Sequence, residues 1–346
     1  SQGLGRIQKE KLKTIKQIFQ IEPISAECIE FISFLANWNC VFKGLVLKMV
    51  LSPIEAITSP KTSKIYKLNL KIIKTIESTK KSNFTPKEKL VVEFLSNSDR
   101  YFNADELASE CKVSTTLLKN MLKKNIILKE VKNKSVTSFS EKISDKGINL
   151  SDQKLLNKHQ LNAIKKLKEA IENKRPECFL LDGVPGSGKT ETYFEAVRIS
   201  LEQGKQVLIL LPEISLTPDW EARFYNKFGF KPLVWHSAIT KNKKKEIWLS
   251  AINGVKGVIV GARSALMLPF ANLGLVIVDE EHEPAFKQEE NIRYNARDMA
   301  IFRATKSSAP IVLASATPSL ETYYNMKIGK YIHLILQERE TGAAMQ

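Results

Sequence analysis

From about residue 158 onward, short runs of apolar residues alternate with longer amphipathic stretches. Runs that are apolar at nearly every position are typical of strands whose two sheet faces are both covered. The stretches between them have the length of helices, about 10–15 residues. The pattern predicts an α/β fold, a parallel sheet with helices on both faces. The predicted strands are residues 178–182, 206–211, 232–236, 257–260, 275–279 and 311–315.

The segment at 84–140 has the pattern of a small helical domain. Thr85 can cap a helix that has Pro86 in its first position and Glu88 in its third, a capping-box arrangement. Further helices are predicted at 104–111, capped by Asn103, and at 115–124, capped by Ser114, with β-prone stretches at 126–131 and 135–139.

Three helices followed by a basic hairpin predict a winged helix. Its third helix carries Lys119, Lys123 and Lys124, which are predicted to meet phosphates. A domain that makes only protein contacts is the alternative. The predicted domains are residues 1–58, a small mixed region; 59–83, a linker rich in Ser, Thr and Lys; 84–150, the winged helix; and 151–340, the sheet.

The charge of the chain is high and uneven. The chain has 53 Lys and Arg against 37 Asp and Glu, a net charge of +16. Residues 1–157 hold 27 basic and 16 acidic side chains, and residues 158–346 hold 26 and 21. A basic first half indicates a module that faces nucleic acid, although general enrichment in lysine would give the same numbers.

Several protein classes are excluded. The 43% of apolar and 26% of charged residues exclude wholesale disorder. No stretch approaches the roughly 20 apolar residues of a membrane span, and the N-terminus has no signal-peptide core. The four cysteines are scattered without a C-x-x-C pair, so neither a disulfide framework nor a zinc site is indicated. We therefore expect a cytoplasmic protein, and the missing initial Met leads us to expect that its beginning is lost.

The strongest chemical signal is G-V-P-G-S-G-K-T at 183–190, which matches the phosphate-loop pattern G-x-x-x-x-G-K-[ST] in full. It follows a predicted strand and opens a predicted helix, so backbone N–H groups can surround a phosphate at the positive helix end. Lys189 is predicted to reach the β- and γ-phosphates, and Thr190 to bind Mg²⁺. The residues predicted to contact the nucleotide are Gly183, Val184, Pro185, Gly186, Ser187, Gly188, Lys189 and Thr190.

A pair of carboxylates follows the predicted strand at 275–279. Asp279 and Glu280 stand at its carboxyl end, where open α/β sheets bind their ligands. Asp279 is predicted to hold Mg²⁺ and Glu280 to polarise the attacking water, so that these two and Lys189 are the predicted catalytic residues. His282 is predicted to sense the nucleotide. A solvated acidic turn is the alternative.

Three more motifs lie just beyond predicted strands and should converge on one rim of the sheet. They are L-P-E-I-S-L-T at 211–217, G-A-R-S-A at 261–265 and A-S-A-T-P-S at 314–319. Small hydroxyl residues, backbone amides and one arginine suit contact with a phosphate backbone without reading of bases. Pro212, Thr217 and Arg263 are therefore predicted to contact DNA.

These motifs closely resemble those of the PriA family of bacterial replication-restart DNA helicases, which belong to superfamily 2. The resemblance is most specific in D-E-E-H at 279–282 followed by F-K-Q-E-E-N-I-R-Y-N-A-R-D-M-A at 286–300. It implies a RecA-like P-loop helicase lobe, preceded by a winged-helix domain and part of a small domain that binds the 3′ end of a DNA strand. Pro185 and Lys245 depart from the family, which usually has Thr and Arg there.

The resemblance also implies roles for single residues. Gln160 would read the adenine base, and Ser315 and Thr317, with His282, would couple the nucleotide state to the grip on DNA. The segment 286–297 resembles the family's aromatic-rich loop, where bases would stack on rings at about 1–3 kcal/mol each. Packing of these rings onto the lobe is the alternative. The predicted DNA contacts in this segment are Phe286, Lys287, Tyr294 and Arg297.

The resulting interpretation is an ATP-dependent 3′-to-5′ DNA helicase of the replication-restart primosome, which remodels stalled forks for loading of the replicative helicase. It implies ATP and Mg²⁺ as cofactors and forked or single-stranded DNA, primosome proteins and single-strand-binding protein as partners of a bacterial cytoplasmic monomer. Another superfamily-2 translocase, a P-loop enzyme acting on a small molecule and a non-catalytic DNA-binding adaptor are the alternatives.

The resemblance further implies parts that the sequence does not contain. The family's second motor lobe, its arginine finger and its zinc-binding cysteine cluster should follow residue 346. We therefore expect zinc only in a full-length protein. The present chain is expected to be truncated at both ends and to bind ATP and DNA weakly, without full helicase activity.

Overall fold

The computed structural model describes residues 21–52, 62–69, 84–96, 102, 104–133, 156–212, 215 and 217–336. The chain divides into two compact units, one of Ser59–Ser135 and one that joins Ser1–Thr58 to Val136–Gln346. Each unit has a hydrophobic core of its own. None of the helices in the described ranges is long and apolar enough to cross a membrane.

Helices and strands alternate through most of the described residues. The described helices are α1 (Ala26–Trp38), α2 (Lys43–Val50), α3 (Pro86–Ser96), α4 (Ala104–Glu110), α5 (Thr115–Lys123), α6 (Lys158–Glu172), α7 (Lys189–Glu202), α8 (Pro218–Phe228), α9 (Lys241–Ile252), α10 (Ala296–Lys306) and α11 (Leu320–Lys327). The described strands are β1 (Thr62–Leu68), β2 (Ile127–Asn133), β3 (Cys178–Gly183), β4 (Gln206–Leu210), β5 (Leu233–Trp235), β6 (Gly257–Gly261), β7 (Leu273–Asp279), β8 (Lys287–Gln288), β9 (Tyr294–Asn295), β10 (Ile311–Ser315) and β11 (Ile332–Leu336). Short 3₁₀ helices lie at Arg263–Met267 and Pro284–Phe286.

The larger unit is built on a seven-stranded parallel sheet with the order β11-β3-β10-β7-β4-β6-β5. Alternate residues of each strand face opposite sides. In β4, for example, Leu208 and Leu210 belong to one core and Val207 and Ile209 to the other. Helices α1, α9 and α10 cover the first face, and α6, α7 and α8 cover the second. The predicted α/β sheet and its six predicted strands are confirmed.

The seventh strand, β11, was not predicted from the sequence. It pairs with β3 at the edge of the sheet, and only Leu334 and Leu336 of its five residues are buried, with Ile335 44% exposed. The polar His333 interrupts its sequence, so β11 lacks the continuous apolar run that identifies the other six strands. The short pairing of β8 with β9 was missed as well, since two residues a strand leave no period to detect.

Residues 21–52 share a core with the sheet, whereas the sequence predicts a separate region at 1–58. The rings of Phe34 on α1 and Phe302 on α10 stack with centroids 3.8 Å apart. Trp248 on α9 donates its indole N–H to the carbonyl of Val50 over 2.9 Å. The buried face of α1 therefore completes the first face of the sheet.

The smaller unit contains α3, α4 and α5 around a common core. The predicted capping box at the start of α3 is confirmed, because the Thr85 N–H donates to Glu88 Oε2 at 2.9 Å and the Glu88 N–H to Thr85 Oγ1 at 3.3 Å. Ser114 caps α5 as predicted. The predicted cap Asn103 lies outside the described residues.

The sheet of the smaller unit differs from the predicted wing. Strand β2 pairs antiparallel with β1, which lies inside the segment 59–83 that we expected to be a linker. The sequence of β1 contains Thr, Ser and two Lys residues and therefore resembles a polar linker. Its strand structure is identified by its pairing with β2. The expected partner at 135–139 lies outside the described residues. Lys119 and Lys123 are exposed on α5, whereas Lys124 forms an ion pair with Glu88.

Glu88→Gln is expected to loosen α3. Burial raises the pKa of Glu88, but hydrogen bonds from Lys124 and Thr85 outweigh it and bring the pKa below its usual 4.5. The ionised carboxylate therefore stabilises the fold above that pH, and the stabilisation is lost as the pH falls through the lowered pKa. At pH 7 we expect the variant to reduce the protection of the α3 amides against hydrogen exchange by about 1 kcal/mol.

The control for this experiment is Glu93→Gln on the exposed side of the same helix. It should leave the protection unchanged. The difference between wild type and Glu88→Gln should also shrink as the pH falls from 4.5 through the lowered pKa of wild-type Glu88, where its carboxylate becomes protonated. A difference of the same size at both pH values would contradict the assignment.

Candidate nucleotide-binding site

The loop at 184–188 links β3 to α7 and leaves the first turn of α7 open. Gly188 is the N-cap residue of α7, has a φ of 83° and forms no side-chain capping bond. Gly186 also has a positive φ, 78°. These conformations favour glycine. Because the first N–H groups of a helix have no partner within it, they point out as donors for an anion.

The packing beneath the loop requires Gly183 at the end of β3. A Cβ at this position would collide with Ser187 Oγ and lie 2.9 Å from the Cβ of Leu336. Ser187 Oγ is itself buried and has no hydrogen-bond partner among the described residues. Lys189 Nζ donates to the Gly183 carbonyl over 2.7 Å, so its charge is held at the loop. The open helix end and this cation fit the phosphates of a nucleotide.

Gln160 also borders the loop. It lies in α6, is only 1% exposed and donates from Nε2 to the carbonyl of Ser187 at 3.3 Å. Its side-chain oxygen accepts from the Asn157 N–H at 2.8 Å and completes a capping box. From its residue type alone Gln160 would be a surface residue, so this burial was not predictable locally.

Asp279 ends β7 with both carboxylate oxygens hydrogen-bonded. Oδ1 accepts from the Glu280 N–H at 3.1 Å, and Oδ2 accepts from the Tyr193 hydroxyl at 2.9 Å. Burial raises the pKa of Asp279 to about 6, although the bond from Tyr193 and the charge of Lys189 lower it. A cation beside this carboxylate would favour its ionised form. The carboxylate of Asp279 and the hydroxyl of Thr190 are oxygen ligands of the type that Mg²⁺ prefers.

Glu280 and His282 connect Asp279 to the end of β10. Glu280 has a φ of 49°, an unusual conformation for a residue other than glycine. His282 Nδ1 lies 3.7 Å from Glu280 Oε2 and 2.8 Å from Ser315 Oγ. Its Nε2 lies 3.4 Å from Thr317 Oγ1, and the Thr317 N–H donates to Ser315 Oγ at 3.0 Å. The structure brings together the three residues predicted for coupling.

Glu281 is buried and is bound by residues from α10 and α11. Its carboxylate accepts hydrogen bonds from Arg297 Nη1, the Ser319 N–H and hydroxyl, and the Thr322 hydroxyl. Arg297 is only 6% exposed, and its Nη1 also donates to Ser319 Oγ at 2.6 Å. In this structure the guanidinium of Arg297 is buried against Glu281 and neutralises its charge, and the predicted contact of Arg297 with DNA stays a prediction.

The two aromatic residues predicted to stack on bases are buried as well. Phe286 is 2% and Tyr294 6% exposed, and both belong to the core beneath α10. Burial raises the pKa of Tyr294 to about 12. In this structure the rings pack onto the lobe, which was the alternative interpretation of the segment. Lys287, between them in the chain, is exposed.

The predicted DNA contacts on the rim have different environments. Thr217 is exposed and caps α8, since its Oγ1 accepts from the Trp220 N–H at 3.2 Å. Pro212 is buried. Arg263 donates from Nη1 to the carbonyls of Lys287 at 2.7 Å and Ala285 at 3.3 Å.

Tyr193 and Trp220 contact the site and were not predicted. The Tyr193 hydroxyl, which donates to Asp279, accepts from Trp220 Nε1 at 3.0 Å. Burial and the charge of Asp279 raise the pKa of Tyr193 well above its usual value, so the hydroxyl keeps its proton. The sequence places a tyrosine one helical turn after the phosphate loop, but the sequence does not show which carboxylate this tyrosine contacts.

No group of three or more potential metal-ligating His, Cys, Asp or Glu side chains occurs in the described part of the chain.

Comparison with known proteins agrees with these motifs. Residues 157–326 match the family model of the DEAD/DEAH box helicases. The replication restart protein PriA of Rickettsia felis is 48% identical over 200 residues, which cover 57% of this chain and 31% of the relative. That of Bacillus subtilis is 37% identical over 242 residues, which cover 70% of this chain and 30% of the relative. These alignments therefore span less than a third of each relative.

Solved helicase structures are similar at lower identity. The Hef helicase domain of Pyrococcus furiosus is 18% identical with a TM-score of 0.39, over 52% of this chain and 37% of that chain. RecG bound to a three-way DNA junction is 25% identical with a TM-score of 0.36, over 50% of this chain and 23% of that chain.

Arg297→Ala is expected to destabilise the larger unit by about 3–5 kcal/mol, because it leaves the buried carboxylate of Glu281 without its cation. Chemical denaturation followed by circular dichroism measures the loss. Arg293→Ala is the control, since Arg293 is exposed in the same segment. If Arg297→Ala instead kept wild-type stability and lost only affinity for single-stranded DNA, Arg297 would be a DNA contact after all.

Proposed function

We propose that the phosphate loop of this chain binds ATP and that hydrolysis of the ATP drives movement along DNA. The premise is the similarity of the chain to PriA proteins and its match to the DEAD/DEAH box helicase model over residues 157–326. The observation that carries the proposal is the pairing of an open helix end and Lys189 with the carboxylates that end β7. Lys189 and Asp279 are close enough for the lysine charge to lower the pKa of the carboxyl. Phosphate and divalent-cation binding are therefore combined in one place.

Each residue has a defined task in this proposal. Lys189 exchanges the Gly183 carbonyl for the β- and γ-phosphates, and the N–H groups at the start of α7 bind the phosphate oxygens. Thr190 and Asp279 would hold Mg²⁺, which neutralises charge on the phosphates when bound. Glu280 polarises the attacking water. Gln160, whose amide already contacts the loop, would contact the adenine base.

The proposed coupling uses the connection between β7 and β10. His282 contacts Glu280, Ser315 and Thr317. A movement of the Glu280 side chain would therefore be transmitted to Ser315 and Thr317 through His282. We propose Thr217, Arg263 and Lys287 as phosphate contacts for single-stranded DNA on the rim. Arg263 supports this role because a phosphate oxygen can replace the main-chain carbonyls that it now binds. Pro212, which has no charge, would help to shape the rim on which the DNA strand lies.

The biological role is proposed from the resemblance and from the names of the relatives. It is ATP-dependent 3′-to-5′ unwinding at stalled forks during replication restart, with forked DNA, primosome proteins and single-strand-binding protein as partners. The three helices of the smaller unit support a winged helix that contacts DNA through Lys119 and Lys123. Monomeric state, zinc in a full-length protein and weak activity of this chain stay predictions.

Two other functions make different predictions. A P-loop enzyme acting on a small molecule would not respond to DNA, and it leaves Arg263 and the motif at 314–319 unexplained. A non-catalytic DNA-binding adaptor would keep every function after Lys189→Ala. The ATPase activity of the full-length protein with and without forked DNA, compared between wild type and Lys189→Ala, distinguishes all three.

Lys189→Ala is expected to weaken binding of a fluorescent ATP analogue with Mg²⁺ by about 10- to 100-fold, the value of a lost charge-assisted hydrogen bond. Fluorescence titration of this chain measures it directly, without turnover. Lys166→Ala, which removes an exposed lysine of α6, is the matched control and should bind as wild type does. Equal affinity of Lys189→Ala and wild type would refute the proposed nucleotide site.

A further inference from the structure

The hydroxyl of Tyr193 lies at a junction of three elements of the larger unit. Tyr193 is completely buried on α7. Its hydroxyl accepts from Trp220 Nε1 on α8 at 3.0 Å and donates to Asp279 Oδ2 at the end of β7 at 2.9 Å. The direction of these bonds is fixed, because an indole N–H can only donate and a carboxylate can only accept.

The Tyr193 hydroxyl interacts with both proposed Mg²⁺ ligands, Asp279 and Thr190. Thr190 lies one helical turn before Tyr193 on α7. Burial raises the pKa of Tyr193, and an interaction between the two side chains lowers that pKa by a smaller amount. Asp279 cannot rotate freely, since the Glu280 N–H holds Oδ1 and Tyr193 holds Oδ2. Groups that bind a metal ligand from behind fix its orientation and are worth about 10- to 100-fold in metal affinity.

The same hydrogen bonds continue to the rim of the sheet. The backbone N–H of Trp220 donates to Thr217 Oγ1, and Thr217 is exposed at the start of α8. The indole of Trp220 then reaches Tyr193, and Tyr193 reaches Asp279. Hydrogen bonds and the Trp220 residue itself thus form a continuous path from Thr217 to the carboxylate of Asp279.

We infer that Tyr193 is a positioning residue that holds Asp279 in the orientation needed for Mg²⁺ and ties it to α8. The inference rests on the proposed nucleotide function. Tyr193 does not touch the reacting atoms, and its effect passes through Asp279. A purely structural tyrosine would stabilise the fold equally but would leave the dependence of nucleotide binding on Mg²⁺ unchanged.

Tyr193→Phe tests this directly, because it removes the hydroxyl and keeps the ring in its contacts with Phe194. Binding of a fluorescent ATP analogue is titrated in EDTA and at increasing Mg²⁺. We expect the Mg²⁺ concentration for half-maximal enhancement to rise by about 10-fold, with the affinity in EDTA unchanged. Tyr225→Phe makes the same change at an exposed position of α8 and should behave as wild type.

Trp220→Phe refines the test. It leaves the bond from Tyr193 to Asp279 in place and removes only the tie to α8, so its Mg²⁺ requirement should rise less than that of Tyr193→Phe. An unchanged Mg²⁺ requirement in Tyr193→Phe overturns the inference. If Lys189→Ala also binds the analogue as wild type does, the proposed function has failed instead.

A second measurement uses the wild-type chain and so does not depend on folding of the variants. Addition of Mg²⁺ to the nucleotide complex should shift the indole N–H resonance of Trp220, which Trp220→Phe assigns. The indole of Trp248 donates to the Val50 carbonyl in the other core and should not shift. Equal shifts, or none for Trp220, would contradict the connection.

Discussion

At the end of β7 the carboxylate of Glu281 is buried and that of Asp279 is partly buried, and a buried charge is stable only where hydrogen bonds and opposite charges replace its hydration. Glu281 is surrounded by Arg297, Ser319 and Thr322, which come from α10, α11 and the turn before it. Asp279 is bonded by Tyr193 and by the next backbone N–H. The need to solvate these two side chains therefore decides how several helices meet the sheet.

The same requirement explains the segment between β7 and α10. Arg297 has to face Glu281, so the start of α10 is fixed against the end of β7. Phe286 and Tyr294 then lie beneath the helix rather than in solvent, and β8 pairs with β9 to close the segment. Residues that resemble a DNA-sensing loop thus pack here as part of the core, and only exposed groups such as Lys287 stay available to a phosphate.

The sequence predicted what depends on local pattern. Six strands of the sheet show as continuous apolar runs, and the phosphate loop shows as glycines and a lysine at fixed spacing. Burial of Gln160, Arg297 and Tyr193 depends instead on partners distant in the chain, with Tyr193 and Asp279 86 residues apart. Strand β1 is similar, since its polar sequence becomes a strand only through its pairing with β2. The two members of such a pair never lie in the same short segment of the sequence, so local patterns cannot identify the pair.

Two cations at the rim are held by neutral acceptors, which has a consequence for ligand binding. Lys189 donates to the Gly183 carbonyl, and Arg263 donates to the carbonyls of Ala285 and Lys287. These hydrogen bonds fix the position of each side chain, which reduces the conformational entropy lost when the side chain binds a phosphate. A phosphate offers a charged acceptor, so that the donor and the acceptor of each bond would carry opposite charges. Under the proposed function, a phosphate would replace the carbonyl at both places, and at Arg263 this exchange would free the backbone at 285–287 that leads into β8. Binding of a phosphate at the rim would then be coupled to the segment after β7.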